Sequence, residues 1–352
     1  GSTNAAYQKL TQTVEEGTVV TFAKVPARTG YVNQGWSSKK NSEKATAKAK
    51  CTVNKNITLY AVQKKAVQLT FHRCDGSTWQ KTTLAKGSSY SLPGVRDAEG
   101  YTFMGWSTKP MQSVSPQYEA EEKITVNGNV DLYAVVFNRT TETDLTEDQL
   151  PQVDIYKYKQ VIFVGDSRTE FMENVLTGMG ESATKNVKFV CSAGKGLDWF
   201  TTTGWAQLYS IVQHDSNSIL SKKTAVIFNF GVNDLSKSAD YAEYYNWIAP
   251  QLKSKGCELY FMSVNPVNRL MLPNAGRADR SEAAVRSFNQ YMKANLSSAY
   301  TYIDMYSYLK STGYSFASDH YGTGTVDDGL HYTTRTYKRI FAKCMDSLRV
   351  PA

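Results

Sequence analysis

The chain has 352 residues, 41% of them hydrophobic and 20% charged. This excludes a mostly disordered protein, a collagen-like fibre and a long coiled coil, and at roughly twice the usual domain size it predicts two or three folded units. The net charge of +8 is confined to the front: residues 1–140 hold 18 Lys and Arg against 10 Asp and Glu, whereas residues 141–352 hold 22 of each sign. The front lysines (Lys39, Lys40, Lys44, Lys48, Lys50, Lys55) are scattered with no DNA-reading motif around them. Nucleic acid is therefore not an expected partner, and a solvated basic face, or weak contact with anionic cell-wall or mucus polymers, is.

Apolar runs such as residues 161–164 and 225–228 are a few residues long, against the ~20 that a membrane-spanning helix requires, so no transmembrane segment is expected. Five cysteines occur in no CxxC pair, so neither a metal nor a cofactor is expected. Cys191, Cys257 and Cys344 sit within apolar patterns as small core residues. Whether Cys51 and Cys74 pair stays open.

In chain order, the first signal is an internal repeat. Gly30-Tyr31 followed by Gly35-Trp36-Ser37 recurs 70 residues later as Gly100-Tyr101 followed by Gly105-Trp106-Ser107. Residues 57–62 likewise answer 130–135, and Tyr7-Gln8-Lys9 answers Trp79-Gln80-Lys81. Each copy alternates apolar and polar residues in short Thr-, Val- and Tyr-rich runs broken by Gly and Asn, which predicts small antiparallel β modules over 3–65 and 66–137. Trp36, Trp106, Tyr60 and Tyr133 are expected to fill the cores of these modules, with sugar stacking as the alternative. These residues resemble the Listeria-Bacteroides repeat, the β-grasp-like module of internalin B type. The resemblance implies an extracellular or cell-wall-attached bacterial protein whose modules act as spacers or contact glycan.

Residues 138–158 are polar, acidic and aperiodic, and predict a linker with a short helical turn after Thr146. From residue 159 to the end, brief apolar runs alternate with longer amphipathic stretches. That is the pattern of an α/β/α sandwich on a five-stranded parallel sheet, with strands at 161–164, 187–190, 224–230, 257–264 and 300–304. Val285, Phe288, Met292 and Leu296 share one helical face behind Asp279 and Glu282, spaced as a capping box. Tyr337, Ile340, Phe341, Cys344, Met345 and Leu348 form a second stripe behind Thr333 and Thr334 as caps.

Four short motifs fall at the carboxyl ends of these strands, where such sheets collect ligands. Gly165-Asp166-Ser167 places a serine on a strand-to-helix turn, beside the amides of a helix N-terminus. Gly194-Lys195-Gly196 lets a substrate approach the backbone. Gly231-Val232-Asn233-Asp234 offers a side-chain amide to developing negative charge. Asp328-Gly329-Leu330-His331 folds a carboxylate onto one imidazole nitrogen and leaves the other to take a proton from Ser167. Asp327 is a less favoured carboxylate, and His72, His214 and His320 lack a D-x-x-H partner.

Taken jointly these residues resemble the four blocks of the SGNH hydrolases, the GDSL esterase/lipase family, over about 159–349. The resemblance implies Ser167 as nucleophile, His331 as general base and then acid, and Asp328 as its orienting carboxylate. The oxyanion hole it implies comprises the Ser167 and Gly196 amides and the Asn233 side chain, with Gly194 competing for the glycine's role. Arg168 stands where the motif has leucine, and with Leu270, on a rim at 265–280, it is an expected substrate contact. The implied activity is ester hydrolysis through an acyl-serine. An O-acetylated carbohydrate is the expected substrate, and the alternatives are lipase, thioesterase or O-acetyltransferase activity, or an adhesin with an inactive hydrolase domain.

Overall fold

The computed structural model describes residues 10–154, 157–215, 223–317 and 326–348, without the side chains of 214 and 215. Residues 3–9, His320 and the His214 ring therefore lie outside the described residues. The chain divides into two compact units, residues 1–91 with 123–133 and residues 92–122 with 134–352.

The first unit is built of short antiparallel pairs. Strands β1 (Thr18–Thr21) and β3 (Lys50–Val53) pair with each other, and β2 (Tyr31–Ser37) pairs with the long β4 (Tyr60–His72). Strand β4 also pairs antiparallel with β5 (Thr78–Ala85) and parallel with the start of β9 (Val130–Asn138), while β6 (Ser88–Ser91) pairs with β8 (Lys123–Val126). The register of β2 on β4 slips between Asn33 and Gly35, which is a bulge. Gly35 sits there at φ +119, and the equivalent Gly105 in β7 (Tyr101–Ser107) at φ +142, where a Cβ would meet Tyr118 O and Pro116. The Gly-Trp-Ser motif repeats because this kink admits only glycine cheaply.

The tryptophans repeat their bonding too. Trp36 Nε1 donates to Ala23 O (2.6 Å) and Trp106 Nε1 to Pro93 O (2.9 Å), each 13 residues upstream. Trp106 is wholly buried and Trp36 half-buried, as core aromatics should be, whereas Tyr60 is exposed and Tyr133 is half-buried, stacked on His72 at 4.5 Å. Cys51 and Cys74 are unbonded to each other.

In the second unit, β10 (Tyr158–Gly165), β11 (Val187–Cys191), β12 (Lys223–Asn229), β13 (Cys257–Met262) and β14 (Tyr300–Ile303) form a five-stranded sheet in the order β11-β10-β12-β13-β14, every pair parallel. Side chains alternate across it. Val161, Phe163, Ala225 and Ile227 enter one core, and Ile162, Val164, Val226 and Phe228 enter the other, so the central strands are apolar throughout. The first core is closed by α1 (Ser167–Met179), α5 (Met305–Thr312) and α6 (Thr334–Ser347), the second by α2 (Trp205–Asp215), α3 (Ser238–Ser254) and α4 (Glu282–Asn295). This is the expected α/β/α sandwich.

The predicted stripe of α6 is buried from Tyr337 to Leu348, and Thr333 caps it by accepting from Thr336 N. The cap of α4 differs from expectation. Ser281 accepts from Ala284 N, while Asp279 turns out to Arg269 and Glu282 is buried, accepting from Val267 N (3.0 Å) and Tyr306 Oη (2.6 Å).

The stretch expected as a linker packs on the sandwich. Leu150 and Val153 enter the first core with Met104, Val135 and Phe137, and buried Glu142 accepts from Arg339 Nη1 (3.0 Å) and from the Thr336 hydroxyl. The helical turn after Thr146 is present at Glu147–Gln149. No described helix is long and apolar enough to cross a membrane.

Candidate active site

Strand β10 ends in a turn that leaves no room for a side chain: a Cβ on Gly165 would collide with Thr169 and approach Asn229 O at 3.0 Å. The chain therefore bends straight into α1, capped by Asp166, whose Oδ1 accepts from Arg168 N (3.0 Å). Burial pushes the Asp166 carboxyl up to about 6, against the pull of Arg168. Ser167 is the first residue of the helix, where backbone amides lack intrahelical partners and the macrodipole is positive.

The other half of the site comes from 164 residues later. Gly329, at φ +64 and pressed on Asn268 O, lets the 328–331 turn close. Asp328 Oδ1 then accepts from the amides of Leu330 (2.9 Å) and His331 (2.8 Å), and its Oδ2 lies 2.7 Å from His331 Nδ1. His331 Nε2 lies 2.9 Å from Ser167 Oγ. Asp328 is fully buried, His331 nearly so, and the ring stacks on Phe171 at 4.3 Å.

Although burial pushes Asp328 up, its bonds from His331 and the turn amides hold it below its ordinary value. Burial also drives His331 below its ordinary value, Asp328 opposing and Arg168 and Arg277 assisting. At neutral pH the imidazole is thus uncharged, with Nδ1–H donating to the carboxylate and Nε2 open to the serine proton. Asp327 serves elsewhere, bound by Arg139 and accepting from Gly329 N.

These groups open on a cleft of about 310 Å³ lined by Ser167, Phe171, Gly194, Asn233, Arg277 and Arg280, among others. Gly194 lines it at φ +70. Gly196 is not among the lining residues; the carboxyl of Asp234, which accepts from Leu197 N (2.9 Å), occupies the space its Cβ would take. Asn233 donates through Nδ2 to Lys195 O (2.8 Å) and accepts at Oδ1 from Arg280 Nη2 (2.7 Å).

Neither sequence-named substrate contact lines the cleft. Arg168 is buried beneath it, donating to Leu330 O (3.0 Å), Asn265 O (2.9 Å) and Pro266 O (2.9 Å), and Leu270 lines a separate cavity with Gly94 and Val95. Arg277, whose Nε donates to Asp328 Oδ2 (3.1 Å), and Arg280 lie on the rim expected at 265–280 but were not singled out by the sequence. Both follow the carboxyl end of β13, and that position was the available signal.

A brace behind the site was missed as well. Arg139 Nη2 binds both Asp97 Oδ2 (2.8 Å) and Asp327, Asn268 Nδ2 donates to Asp97 Oδ1 (2.7 Å), and Arg96 donates to Leu270 O (2.9 Å) and Asn274 Oδ1 (2.8 Å). Burial, with Asp327 alongside, pushes Asp97 well above the carboxylate range against the pull of Arg139. Among the described residues no group of three or more His, Cys, Asp or Glu side chains is arranged to hold a metal ion.

Compared with known proteins, residues 1–62 and 68–135 match the Listeria-Bacteroides repeat domain, and residues 161–344 match the GDSL-like Lipase/Acylhydrolase model. No curated protein matches the chain. Solved structures similar to it include a Slackia heliotrinireducens protein assigned provisionally to the SGNH hydrolases, at 14% identity and TM-score 0.40, covering 55% of this chain and 100% of that one. An acetyl xylan esterase, AlAXEase, matches at 11% identity and TM-score 0.36, covering 54% and 100%. A Bacillus subtilis protein matches at 13% identity and TM-score 0.34, covering 81% and 98%.

Proposed function

Because the chain belongs to the family of GDSL-like lipases and acylhydrolases, we propose that it is a serine ester hydrolase that removes O-acetyl groups from carbohydrate at or outside the bacterial surface. The observation that carries the reading is the continuous chain from Ser167 Oγ through His331 to Asp328, at 2.9 Å and 2.7 Å. Ser167 Oγ attacks the ester carbonyl carbon as its proton passes to His331 Nε2, and Asp328 stabilises the resulting imidazolium. The oxyanion is held by the Ser167 amide, an amide of the 194–196 glycine turn and the Asn233 side chain. Arg280 fixes the orientation of that side chain by occupying its carbonyl oxygen. The C–O bond to the sugar breaks as His331 returns the proton to the alcohol, and water then releases acetate by the same route.

A small acyl group is favoured by the cleft's size, about 310 Å³, and by the asparagine and arginines that share its wall with Phe171 and Leu330. A surface location is supported by the Listeria-Bacteroides repeats, which are typical of bacterial surface proteins. The test is acetate release from a panel of acetylated glycans. We expect release by the wild type and a loss of about 10⁴-fold or more in Ser167→Ala, in line with removal of a catalytic nucleophile. Undiminished release by the variant overturns the reading, and acetyl transfer to an added sugar in place of release would reassign it to a transferase.

A further inference from the structure

We propose that the preferred substrate is the ester of an acidic polysaccharide, one carrying carboxylate, sulfate or phosphate groups; this rests on the esterase reading and names its substrate class. The first observation is the sign of the cleft wall. Arg277 and Arg280 line it beside Ser167 and His331, and no acidic side chain is among its lining residues. The carboxylates that balance these arginines lie behind the wall: Asp166 is 1% and Asp328 0% exposed. An ester entering the cleft therefore meets the positive charge of two guanidinium groups held in place by their own bonds, Arg280 donating to Val232 O, Ala278 O and Asn233 Oδ1 and Arg277 to Asp328 Oδ2. Low-dielectric walls of one sign also concentrate oppositely charged ligands.

The second observation is independent of the cleft. The unit made of residues 1–91 and 123–133 carries 15 Lys and Arg against 5 Asp and Glu, a surplus of +10, while the rest of the chain carries 25 against 27. Lys39, Lys40, Lys44, Lys48, Lys50 and Lys55 are all exposed. A neutral glycan gains nothing from such a surface, whereas a polyanion is attracted to it at low ionic strength. One class of polymer thus satisfies both the retaining unit and the reacting one.

The experiment compares kcat/KM on acetylated polygalacturonate and on acetylated glucomannan, with p-nitrophenyl acetate as a small neutral reference. The wild type should favour the acidic polymer by roughly 10- to 100-fold at low salt, the range expected of one charge-assisted contact, with the preference shrinking as salt rises. Arg277 also touches Asp328, so Arg277→Gln is read as the ratio of acidic to neutral substrate, which cancels any damage to the triad; that ratio should fall about tenfold. Replacing Lys39, Lys40, Lys44 and Lys48 together by glutamine should weaken co-sedimentation with polygalacturonate gel and leave p-nitrophenyl acetate turnover unchanged.

Equal turnover of both polymers, a preference indifferent to salt, or a ratio unchanged in Arg277→Gln would overturn the substrate class while the esterase reading stands. Loss of p-nitrophenyl acetate hydrolysis by the wild type itself would overturn both.

Discussion

Arg168 stands where the GDSL motif carries leucine, and the structure gives it work that leucine cannot do. Its guanidinium ties the carbonyls of Leu330, Asn265 and Pro266 together and lies over the Tyr332 ring at 5.2 Å. It therefore joins the serine turn to the histidine turn from below. Arg168→Leu would strand the buried carbonyls of Leu330 and Asn265, at about 1–3 kcal/mol each where the structure cannot relax, while Pro266 O keeps its bond from Tyr332 Oη. We expect a melting temperature several degrees lower and a reduced kcat, both measurable on one preparation; an unchanged melting curve would contradict the brace.

His331 supplies the other prediction at this scale. Its ordinary value is 6.5 and burial lowers it, so the neutral, proton-accepting form persists to lower pH than in a free imidazole. The acid limb of kcat/KM should accordingly have its midpoint below 6.5, with activity rising as pH rises through it. A midpoint above 7 would assign the limb to another group. That Ser167, Asp328 and His331 would meet was readable in the sequence because each lies in a short contiguous block at the end of a strand or before a helix. Arg277 and Arg280 were not, because an arginine in a polar loop carries no local mark of the carboxylate or amide it will meet.

Among the elements, strands and helices of the sandwich were legible because each buries a periodic face. The failures came where tertiary contacts use polar residues. Residues 138–158 read as a linker because they are polar, acidic and aperiodic, yet Glu142 is buried against Arg339 and Thr336, and Asp144 binds Lys338 Nζ at 2.7 Å. A sequence shows the charge and not its partner. The brace at Asp97, Arg139 and Asp327 is of the same kind, and it holds the 327–331 turn from behind. Removing Arg139 would leave two adjacent carboxyls, Asp97 deeply buried, without their cation. Arg139→Ala should thus lower stability by about 1–3 kcal/mol, the cost of leaving buried carboxyl oxygens without their shared donor, and depress kcat more than it raises KM. Kinetics indistinguishable from the wild type in the folded variant would show that the turn holds itself.

At the scale of the whole molecule, self-similarity gave the repeat register, and both copies share the positive-φ glycine and the tryptophan-to-carbonyl bond. What self-similarity could not reveal is that compactness cuts the second copy: residues 92–122 and 134–137 belong with the sandwich, and Met104, Val135 and Phe137 share its core. The repeats matched in sequence because backbone turns are local, whereas the surface each copy buries depends on what it packs against. Charge divides along the same units, +10 in the one and −2 in the other, so the basic character of the chain describes its front unit alone.

The most direct test of the account is reaction with a serine-directed fluorophosphonate, with the modified peptide located by mass spectrometry. A single adduct on Ser167, absent from Ser167→Ala and strongly slowed in His331→Ala, is the predicted result. Labelling at another residue, or at full rate without the imidazole, would contradict it.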